Sequence, residues 1–181
     1  CVGTIGDIGC YSFYPSKNLG CYGDGGAIVT NQPDLAEEFK KLSNYGQLAK
    51  YNNEIIGYNS RLDTLQAAVL NTKMPYLNEW NEARRKIAGW YQTELQNMSF
   101  KLPIESSHVK SVYHLFVIQV DDRDECLKYL HKKGIMVQIH YPSLIHLQPC
   151  YAHLGHGLGD FPVAEAAASR ILSLPMYPEL T

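Results

Sequence analysis

The chain has 181 residues, 45% hydrophobic and 19% charged, with a formal net charge of −2. That composition suits a globular protein with one substantial core or two small ones, and the charge offers nothing to attract nucleic acid or an anionic membrane surface. No apolar run approaches the length of a membrane span. The five cysteines, Cys1, Cys10, Cys21, Cys126 and Cys150, are odd in number and scattered, with no Cys-x-x-Cys pair. They read as reduced thiols of a cytoplasmic protein.

Residues 10–13 and 27–30 read as short strands, bounded by glycines. Between them lie Lys17 and the cluster Gly23-Asp24-Gly25-Gly26. Asn31-Gln32-Pro33-Asp34 signals a helix start, and Leu35, Phe39 and Leu42 then mark one helical face. Acids come early and Lys40-Lys41 late, as the helix dipole favours. Gly46 to Gly57 is polar and turn-rich and reads as a loop. Asp63 stands where a cap belongs, ahead of a helix whose expected inner face is Leu65, Val69 and Thr72. Pro75 should kink or end it.

A long helix is expected over roughly 77–97, with Leu77, Trp80, Ile87, Tyr91 and Leu95 inward and Arg84-Arg85-Lys86 largely outward. A connection follows at 98–111. Val112–Val120 reads as a strand. Asp122 with Glu125 resembles a capping box that opens a helix to Lys133, and Gly134 stops it. Ile135–Ile139 reads as a further strand, giving a β-α-β unit. A His/Tyr/Pro-rich loop (140–160), a helix from about Val163 to Ala168 and an apolar segment at 171–174 complete the chain.

Lys17 carries the most chemical information. It sits between an aromatic strand signal and a glycine cluster, where backbone can approach a ligand closely. An amine held there can form a Schiff base with an aldehyde once its lone pair is free. The other reading of an isolated lysine is a surface residue beside a turn. For the seven histidines the open question is metal. His140, His146, Cys150, His153 and His156 fall in one stretch, but their spacing matches no structural zinc pattern, so no metal site is expected.

Five ordered segments decide the matter. They are Ser12-Phe-Tyr-Pro-Ser-Lys17-Asn-Leu-Gly-Cys-Tyr-Gly-Asp-Gly-Gly26, Gly57-Tyr-Asn59-Ser-Arg61-Leu-Asp63-Thr-Leu-Gln66, Tyr113-His114-Leu-Phe-Val, His140-Tyr141-Pro142 with His146-Leu-Gln148-Pro149, and Gly159-Asp160-Phe161-Pro162-Val-Ala-Glu165. Together they resemble the DegT/StrS-type nucleotide-sugar aminotransferases, fold-type I enzymes dependent on pyridoxal phosphate (PLP). The resemblance implies an α/β fold. Residues 1–76 would be the C-terminal part of a large PLP-binding domain, and 77–181 a linking helix with a small C-terminal domain.

The resemblance also implies roles. Lys17 would hold PLP covalently and act as general base and acid. Ser12 would donate to the PLP phosphate. Asn59 would reach the phosphate bound by a neighbouring subunit, implying a homodimer with shared active sites. Arg61 would help bind an anion or orient that loop. His140 and Tyr141, with His146 nearby, would border the sugar-nucleotide site. Asp63 and Gln66 are expected to serve capping and packing. L-glutamate would give its nitrogen to a 3- or 4-keto-6-deoxyhexose on a nucleoside diphosphate, with the wording of 59–70 nearest to dTDP-linked substrates. The product class would be amino sugars for surface polysaccharide or antibiotic glycosides.

One departure matters. In the family, the acid for the pyridine nitrogen and the group stacked on the ring lie N-terminal to the lysine, and neither is assignable here. The chain opens on Cys1-Val2-Gly3-Thr4 as if inside a fold, so a C-terminal piece of a longer protein is expected, inactive alone and with exposed apolar surface. The alternatives are a truncated or degenerate relative acting as a binding module, and a PLP-dependent sugar dehydratase. Lysine at 17 disfavours the last, since those relatives carry histidine there.

Overall fold

The structure, a computed structural model, describes residues 3–181. Cys1, read above as a thiol, lies outside the described residues. The chain divides into two compact units, Cys1–Asn78 and Glu79–Thr181.

The first unit starts from a ribbon. Strand β1 (Gly9–Ser12) pairs antiparallel with β2 (Gly26–Val29), Gly9 opposite Val29 and Ser12 opposite Gly26. Helix α1 (Pro33–Ser43) follows, with Pro33 in its first turn, where a missing N–H costs nothing. Lys41 in its last turn bonds both Glu37 (2.9 Å) and Glu54 (2.7 Å), which ties the 46–57 loop to the helix. Helix α2 (Thr64–Lys73) runs into a single 3-10 turn at Met74–Tyr76, and α3 (Leu77–Leu95) begins at once. Pro75 thus ends α2 as expected. The expected face of α2 differs: Leu65 and Thr72 are exposed and Leu70 is the buried residue. Asp63 stands at the cap position but makes no side-chain cap bond.

The second unit has the fuller core. Strand β3 (Phe116–Gln119) alternates buried and half-buried residues, which sends Phe116 and Ile118 inward at the strand period of two. After helix α4 (Arg123–Lys132) and helix α5 (Pro162–Ala168) comes strand β4 (Ile171–Leu174). β4 pairs antiparallel with β3, Phe116 opposite Leu174. Phe116, Ile118, Val120, Val137 and Leu172 pack with Ala88 of α3, and the Tyr91 ring lies 5.0 Å from that of Phe116. The expected strand over Ile135–Ile139 reduces to one bridge, Gln138 to Ser173. In place of the anticipated β-α-β unit stands an antiparallel pair, with helices α4 and α5 between its strands in sequence.

Arg84 corrects the sequence reading most sharply. It is buried on α3 and donates from Nη1 to Met176 O at 2.7 Å, with the Tyr113 and His114 carbonyls each at 3.4 Å. Its neighbour Arg85 bonds Glu105 at 2.8 Å, and Glu105 also accepts from Ser111 N (3.0 Å) and the Tyr113 hydroxyl (2.9 Å).

Total exposure bears on completeness. The chain exposes 13052 Å². Two separate compact domains sharing its mass equally would expose about 10,600 Å² together. The excess is apolar in part: Tyr11, Ile28 and Val29 on the ribbon, and Ile56 and Leu65 beyond it, are exposed. Among the described residues β1 and β2 pair only with each other, and a lone two-stranded ribbon is marginal in water. No helix among the described residues is long and apolar enough to cross a membrane.

Two outcomes follow for stability. Arg84→Ala removes the donor shared by three carbonyls and should destabilise the second unit by about 2 kcal/mol in urea unfolding. Arg85, then the Ser111 amide and the Tyr113 hydroxyl, hold the Glu105 carboxyl below its ordinary value of 4.5. The stability this contributes is full above that value and is lost as pH falls through the lower folded one. Thermal melting should therefore decline on acidification more steeply in the unsubstituted protein than in Glu105→Gln.

Candidate functional site

The segment after β1 is shaped by its own backbone. Phe13 N donates to Gly25 O and Cys21 N to Phe13 O, both at 2.8 Å, so the chain leaves β1, loops out and returns beside itself before β2. Lys17 N closes a turn onto Tyr14 O at 2.8 Å. Leu19 and Cys21 then bury against Leu70 of α2, with Phe13 and Leu77 packed alongside. Two glycines are required by close approach. A Cβ on Gly20 would meet Pro15 O at 2.5 Å, and one on Gly25 would meet Cys21 Sγ at 2.6 Å.

Lys17 is half-buried on this loop, and no ion pair or side-chain hydrogen bond engages its amine among the described residues. Ser12 is the last residue of β1. Its Oγ accepts from Tyr14 N at 3.3 Å, which leaves the hydroxyl hydrogen to donate elsewhere. Helix α2 grips the far side of the loop: Tyr22 N donates to Gln66 Oε1 at 2.9 Å, and Lys73 Nζ donates to Gly20 O at 2.7 Å.

An open cleft of about 1050 Å³ lies in the same unit. Tyr11 and Asp24, the outer residues of β2, Lys40 of α1, and Asn59 with Arg61 line it. Asn59 forms an antiparallel bridge with Asn44, and the Arg61 guanidinium lies over the Tyr45 ring at 5.4 Å. The structure thus brings Asn59 and Arg61 together, while Ser12 and Lys17 stand outside the cleft lining.

The second unit holds the histidines. His140 shares a hydrogen bond of 2.8 Å between Nδ1 and the buried Ser173 hydroxyl, and its ring meets exposed Tyr141 edge-on at 5.3 Å. His146 donates from Nε2 to Glu165 Oε1 at 3.2 Å, its ring 4.7 Å from that of Phe161. Glu165 also accepts from the amides of Gly159 (2.9 Å) and Phe161 (3.2 Å). Burial pushes its carboxyl up, but these amides and His146 outweigh that and leave it below the usual range. Only a tenth of the His146 side chain is exposed. Among the described residues no group of three or more His, Cys, Asp or Glu side chains is arranged to hold a metal.

These residues fit part of a PLP site. An uncommitted amine, a hydroxyl with its hydrogen to spare and a glycine-tightened turn are what an aldehyde and a phosphate need. Sequence reasoning gave Gln66 a packing role, quoted Glu165 without assigning it one, and passed over Lys73 and Ser173. Their partners lie 19 to 53 residues away, and no local pattern announces them.

Comparison with known proteins agrees. The model of the DegT/DnrJ/EryC1/StrS aminotransferase family matches residues 1–181. The chain is 47% identical to the "Erythromycin biosynthesis sensory transduction protein EryC1" of Saccharopolyspora erythraea, over 99% of this chain and 50% of that protein. It is 45% identical to a UDP-N-acetyl-3-dehydro-alpha-D-glucosamine 3-aminotransferase of Acidithiobacillus ferrooxidans (99% and 48%). Identity is 43% with a dTDP-3-amino-3,4,6-trideoxy-alpha-D-glucose transaminase of Streptomyces venezuelae (99% and 48%). The crystal structure of S. venezuelae DesV in complex with a ketimine intermediate aligns with a TM-score of 0.95 at 42% identity, over 99% of this chain and 49% of that one. The chain spans about half the length of the relatives it matches.

Removing the Glu165 carboxylate should loosen the loop before α5. In Glu165→Ala, amide exchange at Gly159 and Phe161 should rise about fivefold or more relative to α4 amides, since each lost bond is worth about 1 kcal/mol. Hydrogen exchange with mass or NMR detection reads this directly.

Proposed function

Because the chain belongs to the DegT/DnrJ/EryC1/StrS aminotransferase family, we propose that it is the lysine-bearing part of a PLP-dependent sugar aminotransferase. The observation that carries the reading is the Lys17 loop. Its half-buried amine has no ionic partner among the described residues, and the preceding strand ends on a serine hydroxyl free to donate. PLP, when bound, would supply an electron-withdrawing ring. Lys17 Nζ would hold it covalently and then carry a proton at the substrate carbon, since a free amine on a flexible stem serves both tasks. Ser12 Oγ would donate to the phosphate.

Asn59 would reach the phosphate bound by a second subunit in a homodimer with shared active sites, and Arg61, which lines the same cleft, would help bind an anion or orient that loop. His140 and Tyr141 would meet the sugar ring, edge-on aromatic and imidazole groups suiting a pyranose and its hydroxyls. His146 would act through Glu165, by shaping the loop. The donor would be L-glutamate. The acceptor would be a 3- or 4-keto-6-deoxyhexose on a nucleoside diphosphate, in amino-sugar biosynthesis in the cytoplasm. Residues 59–70 favour dTDP, while relatives are named for both dTDP and UDP sugars. Residues 1–76 would be the end of the large domain and 77–181 the linking helix and small domain. The excess exposed surface supports a further part that supplies the acid for the pyridine nitrogen.

The test is direct. The full-length protein, incubated with PLP, reduced with borohydride and digested, should carry the cofactor mass on the Lys17 peptide. Lys17→Ala should lose that mass and all glutamate-dependent conversion of a dTDP-ketosugar. Labelling elsewhere, or turnover surviving in Lys17→Ala, overturns the assignment. The 181-residue chain alone should show no turnover, and measurable turnover would overturn its reading as an incomplete part.

A further inference from the structure

Lys73 has a lysine's length but not a surface lysine's surroundings. It is the last residue of α2, which runs on through a 3-10 turn into α3. Its ammonium does not reach for solvent. It donates to Gly20 O at 2.7 Å and lies 4.8 Å from the centre of the Tyr22 ring. A carbonyl and the negative face of a ring therefore hold one charge from two sides. The same helix takes Tyr22 N on Gln66 Oε1, so Gly20 and Tyr22 are pinned from a single rigid element. Cys21 between them is fully buried and donates back to Phe13 O, which fastens the pinned stretch to the end of β1. Gly20 lies three residues after Lys17, and its packing against Pro15 O leaves no slack between the two.

We infer that Lys73 is a positioning residue for Lys17: its ammonium clamps the returning arm of the loop on α2 and so fixes where the Lys17 amine stands. This rests on the reading of Lys17 given above. Reactive geometry is sensitive to displacements of an ångström, at a cost of about a hundredfold in rate. A loop held only by its own turns would leave the amine wandering over that distance. The clamp therefore acts on the rate at which Lys17 captures an aldehyde, and only slightly on global stability.

The experiment uses the full-length protein and PLP itself as the probe. Capture at Lys17 is timed by borohydride quench and peptide mass, beside hydrogen exchange of the Gly20–Gly25 amides and thermal melting. Lys73→Met keeps the stem and removes the charge. It should capture PLP about ten- to a hundredfold more slowly, with faster exchange confined to the loop and little change in melting. Lys73→Arg, which keeps a cationic donor, should restore most of the rate. Gln66→Leu, which frees Tyr22 N from the same helix, should slow capture in the same direction and stands in if Lys73→Met does not fold. Wild-type capture rates in Lys73→Met, or unchanged loop exchange, overturn the inference. So does an equal slowing in Lys73→Arg that tracks lost melting temperature, which marks ordinary structural support. If the unsubstituted protein never captures PLP at Lys17, the functional reading fails with it, while loop exchange still judges the clamp.

Discussion

The first unit depends on one packing event, the folding of the segment after β1 back onto α2. Leu19 and Cys21 meet Leu70 there, with Phe13 and Leu77 closing the sides. Everything chemically distinctive in that unit hangs from this small contact. The ribbon's register puts Ser12 at its end, the return past Gly20 and Gly25 shapes the loop, and Lys17 rides on the outgoing arm. The packing is dense enough to refuse a single methyl group at two glycines, yet small in area. Precision here comes from directional bonds, with hydrophobic burial contributing little.

The thinness of that core explains the exposed ribbon. A hairpin with wet faces and open edges does not hold a shape by itself in water, and such edges invite pairing. Relatives about twice as long as this chain fit the picture of a sheet that continues elsewhere. Different jobs also sit in different places. The lysine loop and the Asn59–Arg61 cleft belong to the first unit, the His140 and His146 networks to the second.

The lysine loop was legible in sequence because its signals are local. Strand residues, a lysine and clustered glycines follow one another within Ser12–Gly26. The helices were legible through their periodicity and through Pro33 and Pro75. What escaped was long-range. Arg84 stands in an Arg-Arg-Lys run that reads as a wet helix face, and its three carbonyl partners lie 29, 30 and 92 residues on. Leu70 replaced Leu65 and Thr72 because the returning loop, and no periodicity within the helix, decides which side of α2 is covered. Ile135–Ile139 has strand chemistry, but only Gln138 finds a partner. Nor does any local pattern show the carboxylate 19 residues on that His146 meets.

The burial of Arg84 has a consequence for how this unit is made. Its shortest bond is to the carbonyl of Met176, two residues past the end of β4. A ribosome that has delivered α3 and both strands has still not delivered that oxygen. Until Met176 emerges, the nascent unit harbours a cation with one of its anchors missing. The segment just past β4 is thus the latch of the unit, and losing its carbonyl reopens what α3 and the two strands have already assembled.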